Sequence, residues 1–184
     1  MELGKIHCEK GEIYMFYELA KERFSCRNFC DKKVEEKKLE KILEVGNMAP
    51  TAKNLQPHRI YVLESKDALE KLDSVTHIRR GAPIVLLFSY DCDEDWKNPY
   101  EEGIHSGIQD VSIVATHIMM EAKELGLDSC WCNAFPNSKI EEAFNLPKNE
   151  KVVLLLPIGY KSDDAIVSQN HFNKKDLKDI VRRL

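Results

Sequence analysis

The first clear period in the chain runs from Ile13 to Phe24, where apolar residues at 13, 16, 17, 20 and 24 recur at helical spacing. From about Glu35 to Met48, Leu39, Ile42 and Leu43 predict a second amphipathic helix, closed by Pro50. HRIYVLE, starting at His58, has the β-branched and aromatic content of a strand. Ser65 stands where it would cap a short helix carrying Leu69 and Leu72. After Pro83 the run IVLLFSY is apolar without alternation, as expected of a strand covered on both faces, and KVVLLLPIGY at 151–160 predicts a second such strand.

The longest predicted helix spans about 104–125, with Ile108, Val111, Ala115, Ile118, Ala122 and Leu125 on one face. Val114 and Met119 widen that stripe, so the helix is expected to be central and largely buried, and Gly126 ends it. DSCWCNAF at 128–135 predicts a strand entering a loop, and Ser138-x-x-Glu141 a capping box for a short helix that stops before Pro147. Helices and strands mix without regular βα alternation. The expected class is α+β, a central mixed or antiparallel sheet flanked by helices, in one domain covering 1–184.

Composition narrows the function classes. With 43% apolar and 32% charged residues the chain is an ordinary globular one, and a net charge of −4 gives no electrostatic case for nucleic acid. No apolar run approaches the roughly 20 residues of a membrane span, and the first residues lack a signal-peptide core. The expected location is the cytoplasm. Cysteines at 8, 26, 30, 92, 130 and 132 lack the usual two-residue metal spacing, and reduced, buried thiols are the expectation.

Chemistry is suggested first by RFSCRNF at 23–29. If it is extended, Arg23, Ser25 and Arg27 share one face and Phe24 and Cys26 the other. Two guanidiniums and a hydroxyl facing one way suit a phosphate, although a solvated patch has the same composition. APTAKNLQP at 49–57 is a loop rich in amides and hydroxyls; Asn54 and Gln56 carry donors and acceptors that would match a heterocycle edge. Asp91, Asp93, Asp95 and Glu102 mimic a calcium-loop spacing, but Trp96 occupies the position that needs glycine. His105 opens the long helix, and Arg79 and Arg80 precede a buried strand; each is open to a surface or a site reading.

R-x-S-x-R-x-F at 23–29, A-P-T-x-x-N-x-Q-P at 49–57, GLDSCWCNAF at 126–135 and LLPIGY at 155–160 occur in the order seen in the nitroreductase family, and the chain resembles that family over nearly its whole length. The resemblance implies an FMN cofactor whose phosphate is held by Arg23, Ser25 and Arg27, with Lys174 or Lys175 as the basic residue near the C-terminus. Pro50, Thr51, Ala52, Asn54 and Gln56 would meet the flavin from the other subunit of an entwined homodimer. Asn133 and Ala134 would bring backbone N–H groups to the N5 edge. The implied activity is ping-pong reduction of nitroaromatic or quinone-type acceptors by NADH or NADPH, the flavin carrying the chemistry. Members of the fold also dehalogenate, break down flavin or oxidise azolines, and a non-catalytic flavin or metal binder is the reading from another class. His58 stands where the family usually has Trp.

Overall fold

The computed structural model describes residues 15–184; the Ile13 end of the first predicted helix, His7 and Cys8 lie outside them. The described elements are α1 (Met15–Glu22), α2 (Glu36–Asn47), β1 (His58–Leu63), α3 (Lys66–Val75), β2 (Ile84–Asp91), α4 (Gly107–Glu124), β3 (Asp128–Ser129), α5 (Asn137–Ala143), β4 (Glu150–Gly159) and α6 (Leu177–Ile180). The strands form one sheet in the order β1-β2-β4-β3, with every neighbouring pair antiparallel. The α+β expectation is met.

The two unbroken apolar runs lie at the centre of this sheet. In β2 every residue from Ile84 to Tyr90 is buried, and β4 is buried from Val152 to Gly159. Both faces are covered, which is why neither strand alternates. On one side Leu86, Phe88, Leu154 and Leu156 meet Val111, Val114, Ala115 and Ile118 of α4. On the other Val85, Leu87 and Leu155 meet Leu72 of α3 and Ile140 of α5. Each such aliphatic side chain contributes about 1.5–3 kcal/mol by leaving water.

α2 packs across α4 at Gly46. A Cβ built there would sit 2.6 Å from Ile118 Cδ1, so only a residue without a side chain permits this approach. Ser65 caps α3 as expected, its Oγ accepting from Ala68 N at 3.2 Å.

Three local expectations need correction. α4 begins at Gly107 rather than near 104, because residues 97–105 fold back on themselves through a Lys97–His105 bridge and an Asn98 N–H bond to the Ile104 carbonyl. Ile108, placed on the buried stripe by its spacing, is 56% exposed although Gly107 and Val111 near it are buried, so it points away from the core. The capping box at Ser138 does not form: the cap position falls on Pro136, two residues earlier, and the Glu141 carboxylate accepts instead from Val152 N at 3.0 Å.

Candidate functional site

Beyond Glu22 the chain runs extended beside β3. Cys26 N donates to the Ser129 carbonyl at 2.9 Å, and Ser25 forms a parallel bridge with Ser129. Extended backbone sends alternate side chains to opposite faces. Phe24 and Cys26 are buried with Phe29 and Ala82, while Arg23, Ser25 and Arg27 turn outward. The alternation seen in the sequence is therefore an alternation of core and surface.

The outward face meets the C-terminal segment. Ser168 turns the chain into a short 3-10 turn, Gln169–His171, and the two segments enclose a cleft of about 240 Å³. It is lined by Arg23, Ser25, Arg27 and Lys174 together with Ser168, Asn170 and His171. Of the two lysines expected here, Lys174 reaches the cleft and Lys175 does not line it. Among the described residues, Arg23, Arg27 and Lys174 make no ion pair with any carboxylate. Three cations share one concave surface with no carboxylate paired to them among the described residues.

The 50–56 loop is built differently. Lys53, Asn54 and Gln56 all have positive φ, at 50°, 57° and 53°, a conformation that asparagine tolerates best and other side chains resist. The loop is held by Gln56 N donating to Thr51 Oγ1 at 3.0 Å and by Ala52 N donating to Asp110 Oδ1 at 2.9 Å. Asp110 also accepts from Ser106 Oγ at 2.7 Å, so one buried carboxylate on α4 fixes the loop to the helix start. Pro50, Asn54 and Gln56 are exposed, and the loop does not line the basic cleft of its own chain.

Asn133 is clamped by its side chain: Oδ1 accepts from Trp131 Nε1, and Nδ2 donates to the Val153 carbonyl at 2.9 Å. The backbone N–H groups of Asn133 and Ala134 donate to no acceptor among the described residues. Both residues are exposed and presented at the sheet edge.

A second cleft, of about 560 Å³, lies in the acidic excursion between β2 and α4, lined by Tyr90, Cys92, Asp95, Tyr100, Ile104 and His105 among others. Asp95 is buried there, taking hydrogen bonds from Lys97 and Gly107 N and facing His105 Nδ1 at 2.6 Å. Burial alone would raise this carboxyl, but Lys97 and His105 outweigh it and hold it below its ordinary value. The calcium-loop spacing thus has a structural explanation: its central carboxylate is already paired. Arg79, left open by the sequence, pairs with Asp73 through Nε at 2.9 Å. Arg80 is exposed, with φ 53°.

Sequence reasoning missed Asp110, Ser168, Asn170 and His171. Asp110 carried a signal, since a carboxylate beside Val111 and Val114 on the apolar stripe of a central helix needs a buried partner. The other three have polar side chains in a polar segment, and only tertiary folding brings them to the arginines.

The Nitroreductase family model matches residues 20–79 and 76–160. A crystal structure of a nitroreductase family protein from Clostridium difficile 630 aligns with TM-score 0.83 and 40% identity, covering 90% of this chain and 95% of that one. An FMN-dependent nitroreductase from C. difficile R20291 aligns at TM-score 0.68 and 26% identity, over 84% of this chain and 92% of that one. A protein of Archaeoglobus fulgidus provisionally named NADH dehydrogenase/NAD(P)H nitroreductase is 26% identical over 159 residues, 82% of this chain and 89% of that protein. With the sheet, the long central helix and the matched segments in agreement, this chain belongs to the nitroreductase family.

Proposed function

We propose that the protein is an FMN-dependent NAD(P)H oxidoreductase that works as a homodimer and reduces nitroaromatic or quinone-type acceptors. The observation that carries this reading is the basic cleft. Arg23, Arg27 and Lys174, unpaired among the described residues, surround the Ser25 hydroxyl in a space the size of a phosphate and its linker. Guanidiniums gathered without carboxylates repel one another, and a phosphate dianion relieves that repulsion while accepting bidentate, charge-assisted hydrogen bonds. The donor set fits the phosphate end of FMN, and the relatives named above are nitroreductases, one of them FMN-dependent.

When bound, FMN would supply the redox chemistry, taking hydride equivalents from a nicotinamide and returning them to the acceptor at N5 in a ping-pong cycle. The chain's own part is to bind and orient. Arg23, Ser25, Arg27 and Lys174 hold the phosphate. The free N–H groups of Asn133 and Ala134 would face the N5 edge, oriented by the clamp on the Asn133 side chain. Pro50, Thr51, Ala52, Asn54 and Gln56 would cover the ring from the partner protomer, since within one chain they lie away from the cleft.

Exposed apolar residues support the dimer. Phe16, Ile104, Ile108 and Ile113 on and around α1 and α4, and Leu177, Ile180 and Val181 near the C-terminus, are all more than a third exposed. Aliphatic and aromatic side chains left in water on adjoining helices are the kind of surface a second copy of the chain would cover. No described helix is long and apolar enough to cross a membrane, and the acceptors proposed here are small molecules.

Purified protein should be yellow, absorb at the flavin bands and bleach anaerobically on addition of NADH or NADPH. A colourless protein that takes up no added FMN would sink the proposal.

A further inference from the structure

Residues 128–132 lie extended against β4. Cys130 N donates to the Pro157 carbonyl at 3.1 Å; Cys132 and Leu155 exchange backbone hydrogen bonds, both at 3.0 Å. The two-residue period puts both thiols on one face and Trp131 on the other, where it joins the α4 side of the core while Cys132 joins the α3–α5 side. The Cys132 thiol donates to Cys130 Sγ across 3.7 Å. No cluster of three or more metal-ligating side chains exists among the described residues, so the pair is not part of a larger ligand set.

We propose that Cys130 and Cys132 are a redox-active dithiol, which a peroxide converts to an intramolecular disulfide. Two residues apart in extended chain, their Cα atoms are about 6.6 Å apart, inside the range a disulfide spans. Closing the sulfurs from 3.7 Å to a bond of about 2.05 Å requires the extended backbone to bend until the Cβ atoms lie about 3.8 Å apart, which strains the Cys132–Leu155 pairing. The roles of the two sulfurs differ. The hydrogen bond from Cys132, and then Arg27, Arg80 and Arg23, bring the Cys130 thiol down to about 7 against the opposing effect of burial. The same hydrogen bond, and burial, push Cys132 up.

Cys130 is therefore the attacking thiolate and Cys132 the resolving thiol. The Cys130 thiolate attacks one oxygen of hydrogen peroxide; the O–O bond breaks, Cys130 becomes a sulfenic acid and hydroxide leaves. The Cys132 sulfur then attacks the sulfenic sulfur, and the departing hydroxyl takes the Cys132 proton to leave as water. In total two thiols and one peroxide give one disulfide and two waters. Cys130 is only 3% exposed, which restricts the oxidant to a molecule as small as peroxide. The placement of the two thiols is set by the fold and does not depend on the flavin. The part of the lowering at Cys130 due to Arg27 and Arg23 is expected to shrink when a phosphate neutralises them, so the mapping is run on FMN-free and FMN-loaded protein.

The test is peptide mapping of the full chain after brief treatment with equimolar hydrogen peroxide and alkylation. Trypsin releases 124–139 as one peptide that holds Cys130, Cys132 and no other cysteine. The expected result is a peptide lighter by two hydrogens, unalkylated, restored by dithiothreitol and formed at least about tenfold faster than Cys92 is oxidised. In Cys132→Ser the sulfenic acid should persist on Cys130 and be trapped by dimedone added as the oxidised protein is unfolded in urea, which exposes the sulfur. A doubly alkylated peptide while Cys92 has already reacted would overturn the proposal, as would direct oxidation to sulfinic acid. A thiophilic metal ion carried by the purified protein and lost in Cys132→Ser would also overturn it, in favour of chelation.

Discussion

The two clefts of this molecule hold charge in opposite ways. In the acidic excursion the buried carboxylate has partners, Asp95 having Lys97 and His105, and Arg59 of β1 reaches over to Asp91 and Glu94 at 3.6 and 2.6 Å. In the basic cleft Arg23, Arg27 and Lys174 have none among the described residues. Paired charges act within the fold, and removing one partner strands the other. Unpaired charges of one sign weaken the fold by mutual repulsion, which an anionic ligand such as the proposed FMN phosphate would relieve. The contrast separates scaffold from site without reference to any relative.

The sharpest challenge to that contrast is Asp110, a buried carboxylate on the scaffold side. Asp110→Ala removes hydrogen bonds to Ser106 Oγ and Ala52 N and leaves both groups to find new partners. The expected loss is about 3 kcal/mol of unfolding free energy in urea, with FMN uptake falling as well because the 50–56 loop loses its anchor. A variant as stable as the parent would mean that the network is incidental. Arg27→Ala should do the reverse. Its expected cost is about 1.5–3 kcal/mol in FMN affinity by fluorescence titration, with the melting temperature of the FMN-free protein unchanged or slightly raised as the repulsion is relieved. Equal losses in both measurements would put Arg27 in the scaffold and remove the distinction.

Much of this division was legible in the sequence. The alternation of Arg23, Phe24, Ser25, Cys26 and Arg27 states which residues face inward, because a two-residue period admits only one burial pattern once Phe24 is core. The unbroken runs of β2 and β4 announced central strands for a similar reason. Local pattern failed where a long-range contact decided the outcome. Glu141 is spaced to cap α5, yet the nearby β4 backbone takes its carboxylate. Ile108 has helical spacing, yet among the described residues it stays 56% exposed. Ser168, Asn170 and His171 lie more than a hundred residues from Arg27 and carry no periodicity that could connect them to it.

A smaller effect is expected at Arg59, which bridges Asp91 and Glu94 at the rim of the acidic cleft. It is about one-third exposed and Glu94 about half, so solvent screens the pair. Arg59→Gln should cost about 0.5 kcal/mol, and that cost should shrink in 1 M salt. A loss as large as that of Asp110→Ala would show that exposed pairs hold the excursion together, and the contrast would then rest on charge sign rather than on pairing.

The least effect, and the one that limits the contrast most usefully, comes from His58. Its Nδ1 is buried and has no hydrogen-bond partner among the described residues, so it stands there as an unpaired polar atom in the scaffold. Burial, and then the positive charge of Arg59, lower its pKa below the ordinary 6.5, with Asp110 opposing. A neutral ring can stay there because it carries no charge to desolvate. Above pH 6.5 the ring is neutral whether the chain is folded or not, and its contribution to stability is complete. As the pH falls through 6.5 the unfolded chain binds the proton first, so stability declines until the folded-state value has been passed. Urea unfolding at pH 7.5 and 5.5 should therefore show a drop in the parent that is smaller in His58→Phe. If the two drops are equal, the ring is solvated in the folded state. If the parent's is larger, the pairing rule holds for charges alone, and a neutral orphan such as this marks no site.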